Sequence, residues 1–243
     1  MSHPTFYIPP EHILEDTAVL SGDELRHARL TLRLGIGDTV RVVDGQGTSF
    51  KAIIQSMDKE KGDLKLSDRE VEPESPFELT IGMGVVQGER FDWAVQKGTE
   101  LGVLSFVPLV TERTEGSYRG KWKRLERLRR IIISACKQCG RARFPIIREP
   151  VFLNDLDMSS YDLSLVFWEE EGTRPLKEAV QSIDPPRSCL VIIGPVGGLT
   201  GEEVALLRER GGIIAGMGPR ILRTETAVTT GAALMQYLYG DMK

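Results

Sequence analysis

Cysteine is scarce in this chain, and apolar runs of membrane-spanning length are missing from it. Three cysteines (Cys136, Cys139, Cys189), few and odd in number, imply no disulfide framework. The longest apolar runs, such as LVII at 190–193 and IIIS at 131–134, fall far short of the roughly 20 residues that cross a bilayer. MSHPTFYIPPEH at the start lacks the basic-then-apolar layout of a secretory leader, so a soluble cytoplasmic protein without a membrane partner is expected. Internal repeats and low-complexity tracts are also absent.

A surplus of positive charge is lacking too. The net charge is −4, which alone argues against a nucleic-acid binder. Its distribution argues the other way. Residues 119–143, RGKWKRLERLRRIIISACKQCGRAR, hold ten lysines and arginines against one glutamate, and such a patch steers polyanions whatever the net charge. Apolar residues interleave at helical spacing (Trp122, Leu125, Leu128, Ile132), so one face of a helix from about Gly120 to Cys139 can be anchored while Lys123, Arg127 and Arg130 point outward. A solvated helix face is the plainer account of the same run. Cys136 and Cys139 form C-x-x-C, but without a second pair, so neither zinc nor redox chemistry is expected and no metal site is assigned.

With 41% hydrophobic and 27% charged residues, the 243-residue chain can bury one large core or two small ones. Residues 1–72 read as β-rich: two strands around Asp44-Gly45, another after a turn at Gly62-Asp63, and one short helix over 22–33. His27, among apolar residues in that helix, reads as packed. EPESP at 72–76 is a linker candidate, which sets the domains at 1–72 and 77–243. Beyond it, near-continuous apolar strands alternate with helices at about 90–101, 120–139, 175–182, from 202, and 225–239, the last stopped by Gly240. That is the pattern of a parallel α/β sheet covered on both faces.

LVIIGPVGGLTGEE at 190–203 ends a buried strand in a glycine loop, and Thr200 with Glu203 forms a capping box for the helix that follows. A P-loop needs a lysine that this loop lacks, and a dinucleotide loop needs G-x-G-x-x-G with an acid about 20 residues on, where Gly218 stands. Taken alone the loop is a tight turn with or without a ligand. GMGPRILRTETA at 216–227 repeats the arrangement: strand, Gly-Pro turn, helix. Two such turns on the carboxyl edge of one sheet suit a ligand bound by backbone groups, an adenine and a sulfonium better than a triphosphate. Trp168, at the end of a strand on that edge, lines the pocket or closes the core.

IIGPVGGLTGEE followed by MGPRILRTETA resembles the RsmE family of ribosomal RNA methyltransferases, of the SPOUT class, and the resemblance extends through GDELRHARLTLRLGIGD, VVDGQG, KGTELGV and ACKQCGRARFP. It implies a small N-terminal PUA-like β-barrel joined to a parallel α/β sheet tied in a trefoil knot. It also implies a homodimer and methylation of uridine N3 in 16S ribosomal RNA, free or in the small subunit, with S-adenosylmethionine as donor. Carried over residue by residue, the cofactor pocket is Phe167, Trp168, Gly194, Pro195, Gly197, Gly198, Met217, Gly218, Ile221, Leu222 and Thr224. Arg223 would stabilise the developing charge on the uracil, and Glu225 would orient Arg223 or accept the N3 proton. Lys123, Arg127, Arg130, Arg141 and Arg33 would hold RNA. Three positions depart from the family pattern: Val196 replaces an acid, Lys137-Gln138-Cys139 replaces Glu-Gln-small, and Thr5 stands where an arginine is usual. Two other readings remain open, a non-catalytic RNA-binding protein of the same fold and a Rossmann-like oxidoreductase.

Overall fold

In the computed structural model, residues 3–114, 122, 124–170 and 174–242 are described. The chain divides into two compact units, Met1–Glu74 with Ile133–Phe144, and Ser75–Ile132 with Pro145–Lys243.

The first unit carries β1 (Thr5–Tyr7), β2 (Ile13–Leu14), β3 (Thr17–Ser21), β4 (Thr39–Val43), β5 (Thr48–Met57) and β6 (Lys61–Val71), in the order β1-β4-β5-β6-β3-β2. Every pairing is antiparallel except β1 with β4. Alternation places Val40, Val42, Ala52, Ile54 and Leu64 in one core with Phe6, Leu20 and Leu25. The expected barrel has an open ladder, because no pairing joins β1 to β2 among the described residues.

The Asp44-Gly45 turn forms as expected, with the Asp44 carboxylate accepting from the amides of Gln46 and Thr48 at 2.7 and 2.9 Å. The turn expected at Gly62-Asp63 does not. It lies earlier, where Asp58 accepts from Glu60 and Lys61, and Gly62 and Asp63 sit inside β6. The helix expected over 22–33 is split into α1 (Gly22–Arg26) and one wider π turn, His27–Thr31, with His27 edge-on to Phe6 at 6.0 Å.

Residues 133–144 group with this first unit although they come late in the chain. Local contacts explain it. Lys137 reaches both Glu24 oxygens at 2.8 Å, Arg141 grips Glu74, and the Tyr7 and Phe144 rings lie 4.9 Å apart.

The second unit holds β7 (Glu78–Gly84), α2 (Arg90–Glu100), β8 (Ser105–Val110), α3 (Leu125–Cys139, which runs on into residues of the first unit), β9 (Ile146–Ile147), β10 (Val151–Phe152), β11 (Leu163–Phe167), α4 (Leu176–Ala179), β12 (Ser188–Ile193), α5 (Gly201–Glu209), β13 (Ile213–Ala215) and α6 (Thr224–Tyr239). The strands are all parallel, in the order β10-β8-β7-β12-β11-β13, with β9 also on β8. Because β11 and β12 are buried on both faces, they read as unbroken apolar runs. On one face Val166, Leu190 and Ile192 pack with Leu199, Val204 and Leu207 of the α5 region. On the other, Gly231 of α6 lies against Phe167 and Val191. The helix expected at 175–182 shrinks to the single turn of α4. Gly240 ends α6 at φ −102°, so it is not a left-handed cap; instead a side chain there would run into Gln236.

Candidate active site

Parallel strands put all their carboxyl ends on one edge, and four adjacent strands of this sheet, β7, β12, β11 and β13, deliver one cavity of about 340 Å³ there. The two glycine loops are not neighbours. They flank β11, whose end supplies Phe167, Trp168 and Glu169 between them. Open α/β sheets bind ligands at such a crevice.

After β12, Pro195–Gly198 is a tight turn closed by Gly198 N–H donating to Pro195 O at 2.9 Å, with Gly198 at φ +72°. Gly194 is required by packing, since a methyl there would lie 2.9 Å from the backbone of Gly198 and Leu199. The capping box of α5 forms as expected: Thr200 Oγ1 accepts from Glu203 N at 3.2 Å and Glu203 Oε2 from Thr200 N at 2.9 Å. Two bonds from the segment after β8 hold this loop. Glu112 N donates to Glu203 Oε1 at 2.8 Å, and Arg113 donates to Gly197 O at 2.7 Å.

Phe167, Trp168, Gly194, Pro195, Gly198, Met217, Gly218, Ile221, Leu222, Arg223, Thr224 and Glu225 all line the cavity. Gly197 does not; it is exposed, with its carbonyl engaged by Arg113. Arg90, Glu169, Ile193, Val196, Arg220 and Ala227 line it as well. Of these only Val196 was singled out in the sequence, as the residue that replaces an acid of the family pattern. The residues just past each strand end, such as Glu169 after Trp168, were the signal that could have found them. Gly84, at the end of β7, was also missed and lets Pro195 approach closely.

Arg223 precedes α6 with an exposed side chain that caps nothing, and it forms no ion pair with Glu225 among the described residues. The expected orienting role of Glu225 therefore lacks its contact. Among the described residues, Glu225 Oε2 and Trp168 Nε1 are buried without a hydrogen-bond partner. An unmet buried polar atom costs about 1–3 kcal/mol, so a cavity with an idle acceptor and an idle donor in its wall is suited to a polar ligand.

The basic segment is less available than its composition suggested. Asp92, buried on α2, binds Arg124 at 2.7 Å and Arg127 at 2.6 Å. Arg141 is part-buried in its pair with Glu74 and does not stand free for RNA, because its guanidinium is held by that carboxylate. Arg130 is exposed and bonds its own helix at Glu126 O; Arg33 is exposed at φ +54°. Lys123 and the expected helix start near Gly120 lie outside the described residues. Trp122, Leu125, Leu128 and Ile132 are buried as expected. Cys136 is buried, which pushes its thiol up to about 12, while Cys139 is exposed. Of the three departures, Lys137 is matched by Glu24, Thr5 lies in β1 opposite Arg41, and Val196 is exposed at the cavity rim.

Comparison with known proteins agrees with this architecture. The RNA methyltransferase domain family matches residues 73–236, and the RNA methyltransferase PUA domain family matches 20–67. The chain is 31% identical over 230 residues to the ribosomal RNA small subunit methyltransferase E of Bacillus subtilis, covering 91% of this chain and 90% of that one. It is 30% identical to the Synechocystis protein of the same name, covering 95% and 76%. Among solved structures, a Legionella pneumophila methyltransferase with bound S-adenosylmethionine superposes with a TM-score of 0.90 at 30% identity, over 99% of this chain and all of that one. The ribosomal RNA small subunit methyltransferase E of Neisseria gonorrhoeae, bound to S-adenosylmethionine, gives 0.86 at 29% identity, again over 99% and 100%. A parallel sheet with a cavity at its carboxyl edge, carried with a PUA-type β-unit, thus defines an RNA methyltransferase. Within that class the chain belongs to the ribosomal RNA small subunit methyltransferase E family.

Proposed function

We propose that the protein transfers a methyl group from S-adenosylmethionine to N3 of a uridine in 16S ribosomal RNA. The observation that carries this is the cavity at the carboxyl ends of β11, β12 and β13, where two glycine loops, Arg223 and Glu225 Oε2, unpartnered among the described residues, meet. The residues present fit the donor. Phe167, Ile193, Pro195 and Leu222 offer apolar walls for an adenine, and the glycine loops bring backbone close enough to bind it directly. When bound, S-adenosylmethionine supplies an electrophilic methyl carried on a sulfonium, open to in-line attack by nitrogen.

Uridine N3 holds its proton at neutral pH, so the chain must favour the anion. Arg223 donates to a uracil oxygen and stabilises the negative charge that grows as the proton leaves. Glu225 Oε2, with no other partner among the described residues, accepts that proton. Burial of Glu225 Oε2 in the cavity wall keeps water from it and strengthens its interaction with the base. The base reaches the cavity only after leaving its stack in folded RNA.

Three further features follow from the shared motifs: a trefoil knot in the segment carrying β12 to α6, assembly as a homodimer, and residence in the cytoplasm. Exposed Tyr237, Leu238 and Met242 at the end of α6 supply apolar surface for a second copy. The unit at 1–72, with Arg33, serves RNA, and the unit at 77–243 carries methyl transfer, with Arg130 as a further RNA contact.

Replacing Arg223 by Ala is expected to cut methylation about 100-fold or more while S-adenosylmethionine affinity stays within about twofold. Titration calorimetry alongside a tritium-transfer assay reads the two, and equal loss of both overturns the assignment. Radiolabelled donor with ribosomal subunits from cells lacking the protein then maps the nucleotide.

A further inference from the structure

The chain's strongest positive run is largely neutralised by its own carboxylates. Among the seven described lysines and arginines of residues 119–143, five are in ion pairs: Arg124 and Arg127 with Asp92, Arg129 with Glu126, Lys137 with Glu24 and Arg141 with Glu74. A cation already matched by a fixed anion condenses little on RNA phosphate, and it releases few counterions when RNA binds.

The cavity wall shows the opposite. Arg90 and Arg220 line it, both are exposed, and neither has an ion pair or side-chain hydrogen bond among the described residues. They come from different sides. Arg90 opens α2 at the end of the connection that leaves β7 at Gly84, and Arg220 lies in the loop after β13. In the order β7-β12-β11-β13 these are the outer two of the four strands that build the cavity, three strand spacings or about 14 Å apart. A base entering between them brings its own two flanking phosphates to the rim. A guanidinium on each side offers each phosphate a planar pair of donors.

We propose that Arg90 and Arg220 clamp the RNA backbone on either side of the target nucleotide, and that the basic helix α3 is not the principal phosphate contact. This rests on the reading of the cavity as a methyl-transfer site.

The test measures binding of the full-length protein to a fluorescein-labelled 15-residue oligouridylate by anisotropy across a series of NaCl concentrations. Each phosphate contact on a single strand contributes about 0.7 to the slope of log K against log salt. The Arg90→Ala/Arg220→Ala protein is expected to lose about 1.4 from that slope. Arg90→Lys/Arg220→Lys keeps most of the slope, whereas Arg127→Ala leaves it unchanged. The melting temperature should stay at its wild-type value. An unchanged slope in the double Ala variant, or a loss of slope in Arg127→Ala, overturns the clamp. A wild-type protein that methylates no ribosomal subunit overturns the reading of function instead.

Discussion

Gly84 ends β7 against the turn that follows β12, and a methyl group there would lie 2.7 Å from Pro195 Cδ and 2.8 Å from the Gly194 carbonyl carbon. Both contacts are with a rigid turn, so the loop has to move. Gly84→Ala is expected to destabilise the protein by about 1–3 kcal/mol and to weaken S-adenosylmethionine binding through the displaced loop. Urea unfolding with calorimetric titration reads both, and a stable variant with wild-type affinity contradicts the argument. Glu72 shows a different single-residue effect. Ser49 Oγ and Arg41 Nη2 donate to its carboxylate at 2.5 and 2.6 Å, which holds it below its ordinary 4.5. A depressed carboxylate adds stability that is complete above the unfolded value and is lost as pH falls through the folded one. Glu72→Gln should therefore cost about 1 kcal/mol at pH 7 and nothing once the wild-type carboxyl is protonated. Unfolding curves from pH 7 down to pH 3 check that convergence.

Helix α6 is placed by one buried amide. Gln236 is fully buried, donating to Gly102 O at 3.1 Å and accepting from Ser75 Oγ at 2.9 Å. Gly102, at φ +79° just past α2, leaves room for it, and α2 packs on α6. Leucine at 236 fills a similar volume but leaves the carbonyl and hydroxyl unmet. A loss of about 2 kcal/mol in chemical denaturation is expected, and an unchanged midpoint contradicts the latch. Periodicity marked α2, α5 and α6 well because each buries one face, and Thr200 with Glu203 announced the start of α5. It overran α4, where Pro175 starts a single turn and no apolar repeat sustains a second. It also misplaced the turn before β6, because Asp58, and not the glycine at 62, bonds the turning backbone.

The ligand is expected to act on the second unit. With saturating S-adenosylhomocysteine, about 100 times its Kd, linkage adds about 2.7 kcal/mol to whatever unfolds with the cavity. Hydrogen exchange should slow across 167–169, 193–198 and 217–227, and stay unchanged over β4 to β6. Equal protection in the first unit would place the site elsewhere.

Residue order alone determined the parallel sheet, the two glycine turns and the capping box. Each of these is encoded in a short local pattern: a run of buried strand, a glycine where a side chain will not fit, a threonine three residues before a glutamate. Only the tertiary structure decided that β11 lies between the two glycine loops, that Gly84 and Arg113 support the first of them, and that residues 133–144 group with the β-rich unit. It also decided which charges stay free. Ten positive residues in a row of 25 look like an RNA surface. Asp92, Glu24 and Glu74, far away in the chain, are folded against Arg124, Arg127, Lys137 and Arg141 by Coulomb attraction at under 3 Å, while Arg90 and Arg220 at the cavity rim have no ion pair among the described residues.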